Sequence, residues 1–279
     1  MFEIVKREEL NPTVTRICVR APRVARKVLP GQFIILRVDE TGERIPLTVA
    51  DADPAAGTVS VIFQVVGATT TKLNHVPEGG FLADFVGPLG RPTELEGLSR
   101  VAVVGGGVGC AIALPVAKAL HAAGATVDAV VGFRTKDLII LEKEFRENST
   151  RFLLMTDDGS AGTKGLVTDA LRGLIKGGAH YDEVITIGPL PMMKFVSKLT
   201  KEYGIRTVAS MNPIMIDGTG MCGGCRLTVG GRTVFACVDG PDFDAHEIDF
   251  DEAMSRGGIY RDFERHAYEK TCRLFGEDK

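Results

Sequence analysis

The pattern of apolar residues changes character at Arg100, and few architectures accommodate both halves of the chain. Before it, short β-rich runs recur at Thr13–Arg20, Gln32–Val38, Pro46–Ala50 and Thr58–Val66. Turn signals separate them: Leu29-Pro-Gly31, Glu40-Thr-Gly42 and Asp53-Pro-Ala-Ala-Gly57. Many short strands at this spacing predict a small antiparallel barrel, interrupted by one short helix over Thr70–Asn74. After Arg100, strands and helices alternate. Strands are predicted at Val101–Val104, Thr126–Val131, Phe152–Thr156, Glu183–Ile187 and Thr207–Ser210. Helices are predicted at Val108–Ala123, Glu142–Arg146, Val167–Lys176 and Met192–Tyr203. Alternation of this kind predicts a parallel sheet with helices on both faces. Pro115 lies inside the first of these helices and is a place for a kink. The expected division is a barrel over residues 1–97, an α/β domain over 98–210, a small module over 211–250 and a polar, helix-prone tail over 251–279.

Composition narrows the class. The 279 residues are 44% hydrophobic and 25% charged, as in an ordinary globular protein. A net charge of −3 gives no support to nucleic-acid binding. No segment approaches the apolar length of a membrane span, and Met1-Phe-Glu-Ile-Val-Lys6 has no signal-peptide pattern. Six cysteines, with Cys222, Cys225 and Cys237 clustered, do not look like a disulfide framework. A reducing cytoplasm is the expected setting.

That cysteine cluster is the strongest chemical signal. Plant-type two-iron clusters use C-x4-C-x2-C and a distant fourth Cys. Here the spacing is kept as Asp217-x4-Cys222-x2-Cys225, with Cys237 as the fourth donor and an aspartate in the first place. Intervening glycines let the backbone wrap closely round an inorganic core. Two other readings stand beside this one. Cys-x2-Cys is also half of a zinc site, which Cys237 with Asp217 or His246 would complete, or it is a redox-active dithiol. A zinc knuckle usually pairs two such hooks, and no second hook exists. A thioredoxin-like dithiol would open a helix, and this one lies in a Gly-rich loop.

Three loops lie where predicted strands end. Gly105-Gly-Gly-Val-Gly109 joins a strand to a helix, a place where phosphates approach the backbone. It departs from the dinucleotide fingerprint: Cys110 stands at the third glycine, and Arg134 stands where an acid would follow the second strand. Thr156-Asp-Asp-Gly-Ser160 and Gly188-Pro189 follow two further strands. Each loop alone also reads as a plain turn, but in open α/β sheets such ends converge on one crevice. In the barrel, Arg44-Ile-Pro-Leu-Thr48 offers a guanidinium and a hydroxyl suited to a pyrophosphate. Gly67-Ala-Thr-Thr-Thr71 opens a helix with three hydroxyls. The bland alternatives are a surface arginine and a Thr-capped helix.

The order of these pieces, R-x-P-[LI]-[ST], G-x-x-[ST], G-G-G-x-G, T-D-D-G-S, G-P-x-x-M and a terminal C-x2-C…C, resembles the ferredoxin–NADP reductase superfamily, and within it the iron–sulfur electron-transfer subunits. The resemblance covers residues 1 to about 250. It implies FAD in the barrel, NAD(P)(H) in the α/β domain and a [2Fe-2S] cluster in the module. By position it assigns Arg44, Pro46, Leu47, Thr48, Gly67, Thr69 and Thr70 to FAD. Gly106, Gly107, Val108, Gly109, Arg134, Asp157, Asp158, Gly188 and Met192 fall on the nicotinamide nucleotide, and Asp217, Cys222, Cys225 and Cys237 on the cluster. Many relatives place the arginine three residues before Thr48, where this chain has Ile45.

Two branches share the pattern: the electron-transfer subunit of dihydroorotate dehydrogenase and the small subunit of the bifurcating NADH-dependent ferredoxin:NADP oxidoreductase. The first is expected to carry Cys at position 217 and the second Asp. The resemblance therefore implies a relay subunit that takes electrons from NADH, in a heterodimer with a larger flavin and iron–sulfur subunit contacted by the tail. Arg134 would equally suit the 2′-phosphate of NADPH. A stand-alone ferredoxin–NADP reductase, a non-catalytic redox-sensing subunit and a zinc-stabilised structural subunit are the alternatives. No catalytic nucleophile–base pair is expected, since His75, His121, His180, His246 and His266 are scattered.

Overall fold

The computed structural model describes residues 1–275. The N-terminal part contains β1 (Phe2–Asn11), β2 (Val14–Arg20), α1 (Pro22–Ala25), β3 (Phe33–Arg37), β4 (Arg44–Asp53), β5 (Thr58–Gln64), α2 (Ala68–Asn74), β6 (Phe81–Leu82) and β7 (Asp84–Leu89). Its strands form one antiparallel sheet in the order β6-β1-β2-β5-β4-β3-β7. Only Ala83 separates the two edge strands, and its N–H bonds to the Arg37 carbonyl. The sheet therefore curls into a nearly closed barrel, which removes the exposed edges.

Alternation of side chains fills the barrel: Ile17 and Val19 on β2, Ile34 and Leu36 on β3, and Val59, Val61 and Phe63 on β5 all point inward. β3 is apolar throughout because its other face, Phe33 and Ile35, packs against a second core formed by the C-terminal module. β1 lies beyond the predicted strands. Its outward residues are charged, and cross-strand pairs such as Arg20–Glu3 at 2.8 Å and Arg16–Glu8 at 3.4 Å hold it to β2.

The second sheet is built from β8 (Arg100–Gly106), α3 (Cys110–Ala122), β9 (Thr126–Phe133), α4 (Glu142–Glu147), β10 (Arg151–Thr156), β11 (Thr163–Lys164), α5 (Val167–Lys176), β12 (Glu183–Ile187), α6 (Leu190–Glu202) and β13 (Thr207–Ser210). Its order is β11-β10-β9-β8-β12-β13, all parallel. The central strands β8 and β12 are buried on both faces. Val101 and Val103 meet α3, while Ala102 and Val104 meet residues of α5 and α6. The helix α3 runs through Pro115 without a break.

The chain then forms a hairpin of β14 (Arg226–Val229) and β15 (Arg232–Phe235), whose two-residue turn places Gly230 and Gly231 at φ 56° and 72°. Both positive angles are what such a turn demands. It returns as β16 (Asp242–Asp244), antiparallel to β13 at the edge of the second sheet. The tail forms α7 (Phe250–Arg256) and α8 (Arg261–Phe275). α8 folds back on the barrel, where the Phe275 ring stacks on His75 at 3.9 Å between centroids. The last part of the predicted tail, 276–279, lies outside the described residues. No helix among the described residues is long and apolar enough to cross a membrane.

Candidate functional site

Strand order reverses between β8 and β12, and the carboxyl ends of these two strands open a crevice. A cavity of about 620 Å³ fills it. Gly106, Gly107, Val108 and Gly109 line it, together with Arg134, Asp157, Gly188 and Met192, so eight of the nine residues expected at a nucleotide site are brought together. Asp158 is the exception. Its carboxylate turns back into its own loop and accepts from the Ser160 N–H at 2.9 Å and hydroxyl at 2.6 Å. Those donors hold the carboxyl below its usual range.

The glycines do different work. A Cβ at Gly106 would lie 2.3 Å from the Met192 sulfur, and one at Gly109 2.6 Å from the Ile187 carbonyl oxygen, so these two allow the strand ends to touch. Gly107 has φ +54 and nothing near the Cβ position. Its backbone faces open space, as close approach of a phosphate requires. The chain also brings Asn11 and Gln64 of the barrel, and Phe195 and Asn212, to the same cavity. Nothing in their local sequence marks them. Phe195 stands 59% exposed on α6 beside the crevice, which only the folded chain reveals.

On the barrel, Arg44–Thr48 lies in mid-sheet yet stays partly uncovered. Thr48 pairs with Phe33 through the backbone, and no partner meets its hydroxyl among the described residues. Thr69 donates to Glu43 Oε2 at 2.6 Å. The Thr70 hydroxyl accepts from the Val66 and Gly67 N–H groups, each at 3.0 Å, and donates to the Gly67 carbonyl. It thus shapes the loop at the start of α2. Gly67 has open space at its Cβ position. Pro46 and Leu47 sit between Arg44 and Thr48, with Leu47 packed on the barrel core. These surfaces fit a flavin nucleotide laid along β4 towards α2. Arg44 is directed elsewhere: its Nε donates to the Ile216 carbonyl at 2.8 Å, in the loop of the cysteine module.

In that loop the four expected donors stand as two pairs. Cys225 and Cys237 are buried, with sulfurs 3.2 Å apart. Burial, and then the neighbouring Cys225 thiol, push the Cys237 thiol up. Two such thiols shed their protons together only against a cation. Asp217 and Cys222 form the outer pair, with the Cys222 N–H donating to Asp217 Oδ2 at 2.6 Å. Thr219 donates to Asp217 through both its N–H and its hydroxyl. The Thr219 N–H does most to hold the Asp217 carboxyl far below the usual carboxylate range, so it is an anionic donor. Donors arranged as two pairs suit a two-iron core, one pair for each iron. A zinc ion would need all four on one point, and no three such groups converge among the described residues. His246 is remote from them, its ring 3.1 Å from the Thr200 hydroxyl. Gly218 seats the loop on the barrel: a Cβ there would lie 2.7 Å from Leu89 Cδ1 and 2.9 Å from Ile35 Cδ1.

Residues 212–249 match the iron–sulfur cluster binding domain of dihydroorotate dehydrogenase B. The whole chain is 47% identical to the homolog of the dihydroorotate dehydrogenase B (NAD(+)) electron transfer subunit from Thermotoga maritima, over 99% of this chain and 98% of that one. The chain belongs to this family of electron-transfer subunits and their homologues. The electron transfer subunit of Streptococcus pneumoniae dihydroorotate dehydrogenase B is 32% identical over 87% of this chain and 97% of its own. Among solved structures, a chain of an NADH-dependent reduced ferredoxin-NADP oxidoreductase, described in terms of flavin-based electron bifurcation, superposes with a TM-score of 0.92. It is 46% identical and covers 97% of both chains. The flavohemoglobin of Malassezia yamatoensis, 20% identical with a TM-score of 0.59 over 73% of this chain and 56% of its own, shares the fold alone.

Proposed function

We propose that this chain is the electron-transfer subunit of a bifurcating NADH-dependent ferredoxin:NADP oxidoreductase, carrying FAD, NAD(H) and a [2Fe-2S] cluster. The observation that carries it is the pairing of Asp217 with Cys222 and of Cys225 with Cys237 in a loop seated directly on the flavin-type barrel. The 46% identity and full-length superposition with a chain of that enzyme class support the same branch. When bound, FAD exchanges electrons in pairs with a nicotinamide and singly with a two-iron cluster. The protein's part is placement. Gly107 admits the nucleotide backbone to the crevice, Gly188 lets its loop close on Gly106 and Met192, and Asp157 and Arg134 flank the opening. Thr48 offers its hydroxyl to the flavin, and the Gly67–Thr70 loop supports the pyrophosphate. No acid–base residue is needed.

The redox partner is a larger flavin and iron–sulfur subunit. Cys18, Cys110 and Cys272 are isolated, so this chain holds no four-iron run of its own and does not make reduced ferredoxin alone. Ile216, Met221 and Val238, all exposed around the cluster donors, form an apolar rim suited to a permanent contact. The exposed side chains of Tyr260 and Phe263 extend such a surface onto the tail. A reducing cytoplasm suits the free thiols.

Stopped-flow absorbance tests this reading. NADH should bleach the flavin faster than NADPH, and the isolated chain should then reduce artificial dyes but not ferredoxin. Clear preference for NADPH, with Arg134 holding its 2′-phosphate, would favour a simple ferredoxin–NADP reductase. A chain that binds nucleotide without bleaching would be a sensor.

A further inference from the structure

A second cavity, of about 300 Å³, lies between α2 and the C-terminal helix α8. Lys72, Glu43 and Thr69 line it from the barrel side, and Ala267, Lys270 and Leu274 line it from α8. We propose that α8 completes a pocket for an adenosine phosphate, so that the C-terminal tail holds the nucleotide half of FAD. The proposal rests on the flavin reading above and deepens it.

Three observations lead there. The first is position. Thr69 lies in the first turn of α2, and Glu43 immediately precedes Arg44, the first residue of β4. A dinucleotide whose flavin lies at Thr48 and whose chain runs back along β4 towards α2 therefore reaches this cavity with its far end.

The second is charge. The one arginine of the β4 motif donates to the Ile216 carbonyl and stands 3.9 Å from Asp84 Oδ2. It is committed to the cysteine-module loop, leaving the junction of β4 and α2 without a strand-borne cation for a pyrophosphate. Lys72 of α2 and Lys270 of α8 line the cavity from two helices. Lys72 is shared with Asp39, whose Oδ2 lies 3.9 Å away, which leaves the larger role to Lys270.

The third is the wall chemistry. The Glu43 carboxylate, already bonded to Thr69 at 2.6 Å, is the acceptor type that reads a ribose diol. Ala267 and Leu274 give a purine an apolar face. The volume accommodates one nucleoside and little more.

α8 is held in place by means independent of any ligand. The Phe275 ring stacks on His75 at 3.9 Å, and Thr271 is buried where α8 packs on α2. The pocket is thus preformed, and binding does not have to order the tail first.

FMN lacks the adenosine phosphate and provides the control. The purified full-length protein, stripped of flavin, is titrated with FAD and with FMN by flavin fluorescence. Ala267→Phe fills the cavity from α8, and Lys270→Ala removes the cation. Each should weaken FAD by about tenfold, the equivalent of one good polar contact, and leave FMN affinity unchanged. Lys270→Arg should restore FAD binding. Equal losses for both flavins, or no loss for either, would overturn the proposal. AMP binding to the FAD-loaded protein that Ala267→Phe abolishes would also overturn it, because the cavity would then be open to a nucleotide other than FAD. A wild-type chain that takes up neither flavin would defeat the flavin reading itself.

Discussion

Arg44 on β4 and Ile216 in the cysteine module are joined by a 2.8 Å hydrogen bond from the guanidinium Nε to the backbone carbonyl. It ties the strand that bears Thr48 to the residue immediately before Asp217. A fixed positive charge at this point favours the more negative, reduced form of a cluster. Arg44→Gln should therefore shift the cluster midpoint to more negative potential in an EPR-monitored redox titration, and Arg44→Lys should recover part of the shift. The side chain is 33% exposed, so the loss of stability should be only about 1.5 kcal/mol, at the low end for a charge-assisted bond. FAD content should stay stoichiometric. Loss of FAD with an unchanged midpoint would return Arg44 to the pyrophosphate.

Asp217 is the first of the four proposed cluster donors, and its carboxylate is held anionic by Thr219 and Cys222. Asp217→Cys should retain iron and sulfide at two per chain, as the two-iron assignment requires, with an altered midpoint. Asp217→Ala should lose cluster on gel filtration. Metal analysis with the EPR spectrum of the reduced protein decides it, and an unaltered spectrum in Asp217→Ala would remove the aspartate from the donor set.

Gly218 sits at φ +81 against Leu89 and Ile35. Ala at this position meets both a strained backbone and two methyl groups under 3.0 Å away, a cost of about 1–3 kcal/mol. The expected result is a lower Tm for the cluster-loaded protein and faster loss of iron to a chelator, with flavin retained. A variant with wild-type iron retention would show that the loop is seated by other contacts.

Glu183 opens β12 and is buried beside Arg206, whose Nε lies 2.9 Å from its carboxylate. Burial outweighs that attraction and raises the Glu183 pKa from 4.5 to about 7. Between those values the folded chain keeps a proton that the unfolded chain has released. Its contribution to stability is therefore fully present below about 4.5 and is lost as the pH rises through about 7. Glu183→Gln should remove this slope, so its Tm should gain on wild type between pH 5 and pH 8, values spanning that window. Parallel Tm profiles for the two proteins would refute the assignment.

Much of the fold could be read before any coordinates because its periodicities are local. The bounds of β12, α5 and β13 follow their apolar patterns residue for residue. β3 read as a strand for an incomplete reason. Its run of four apolar residues reflects burial on both faces, one of them beneath a module two hundred residues away. β1 went unread because the consecutive charged residues Lys6, Arg7, Glu8 and Glu9 break any apolar alternation, and its pairing is a tertiary matter. The crevice at the strand ends was legible in its glycines, while Gln64 and Asn212 reach it only through the packing of barrel against sheet. Asp158 differs from Asp157 by one residue, and only the hydrogen bonds to Ser160 separate a loop-shaping carboxylate from one that faces the cavity. The destination of Arg44 was equally hidden, since its partner is a carbonyl 172 positions away.

Because β16 rejoins the parallel sheet beside β13, the cysteine hairpin is an insertion fastened at both of its ends, not a bead on a tether. Some electron carriers work by swinging a linked domain between donor and acceptor, and their turnover slows in viscous media. This arrangement has no such arm. The spacing between barrel and cysteine module is set once, when the chain folds, and electrons crossing it meet a fixed gap whose rate is indifferent to the thickness of the solvent.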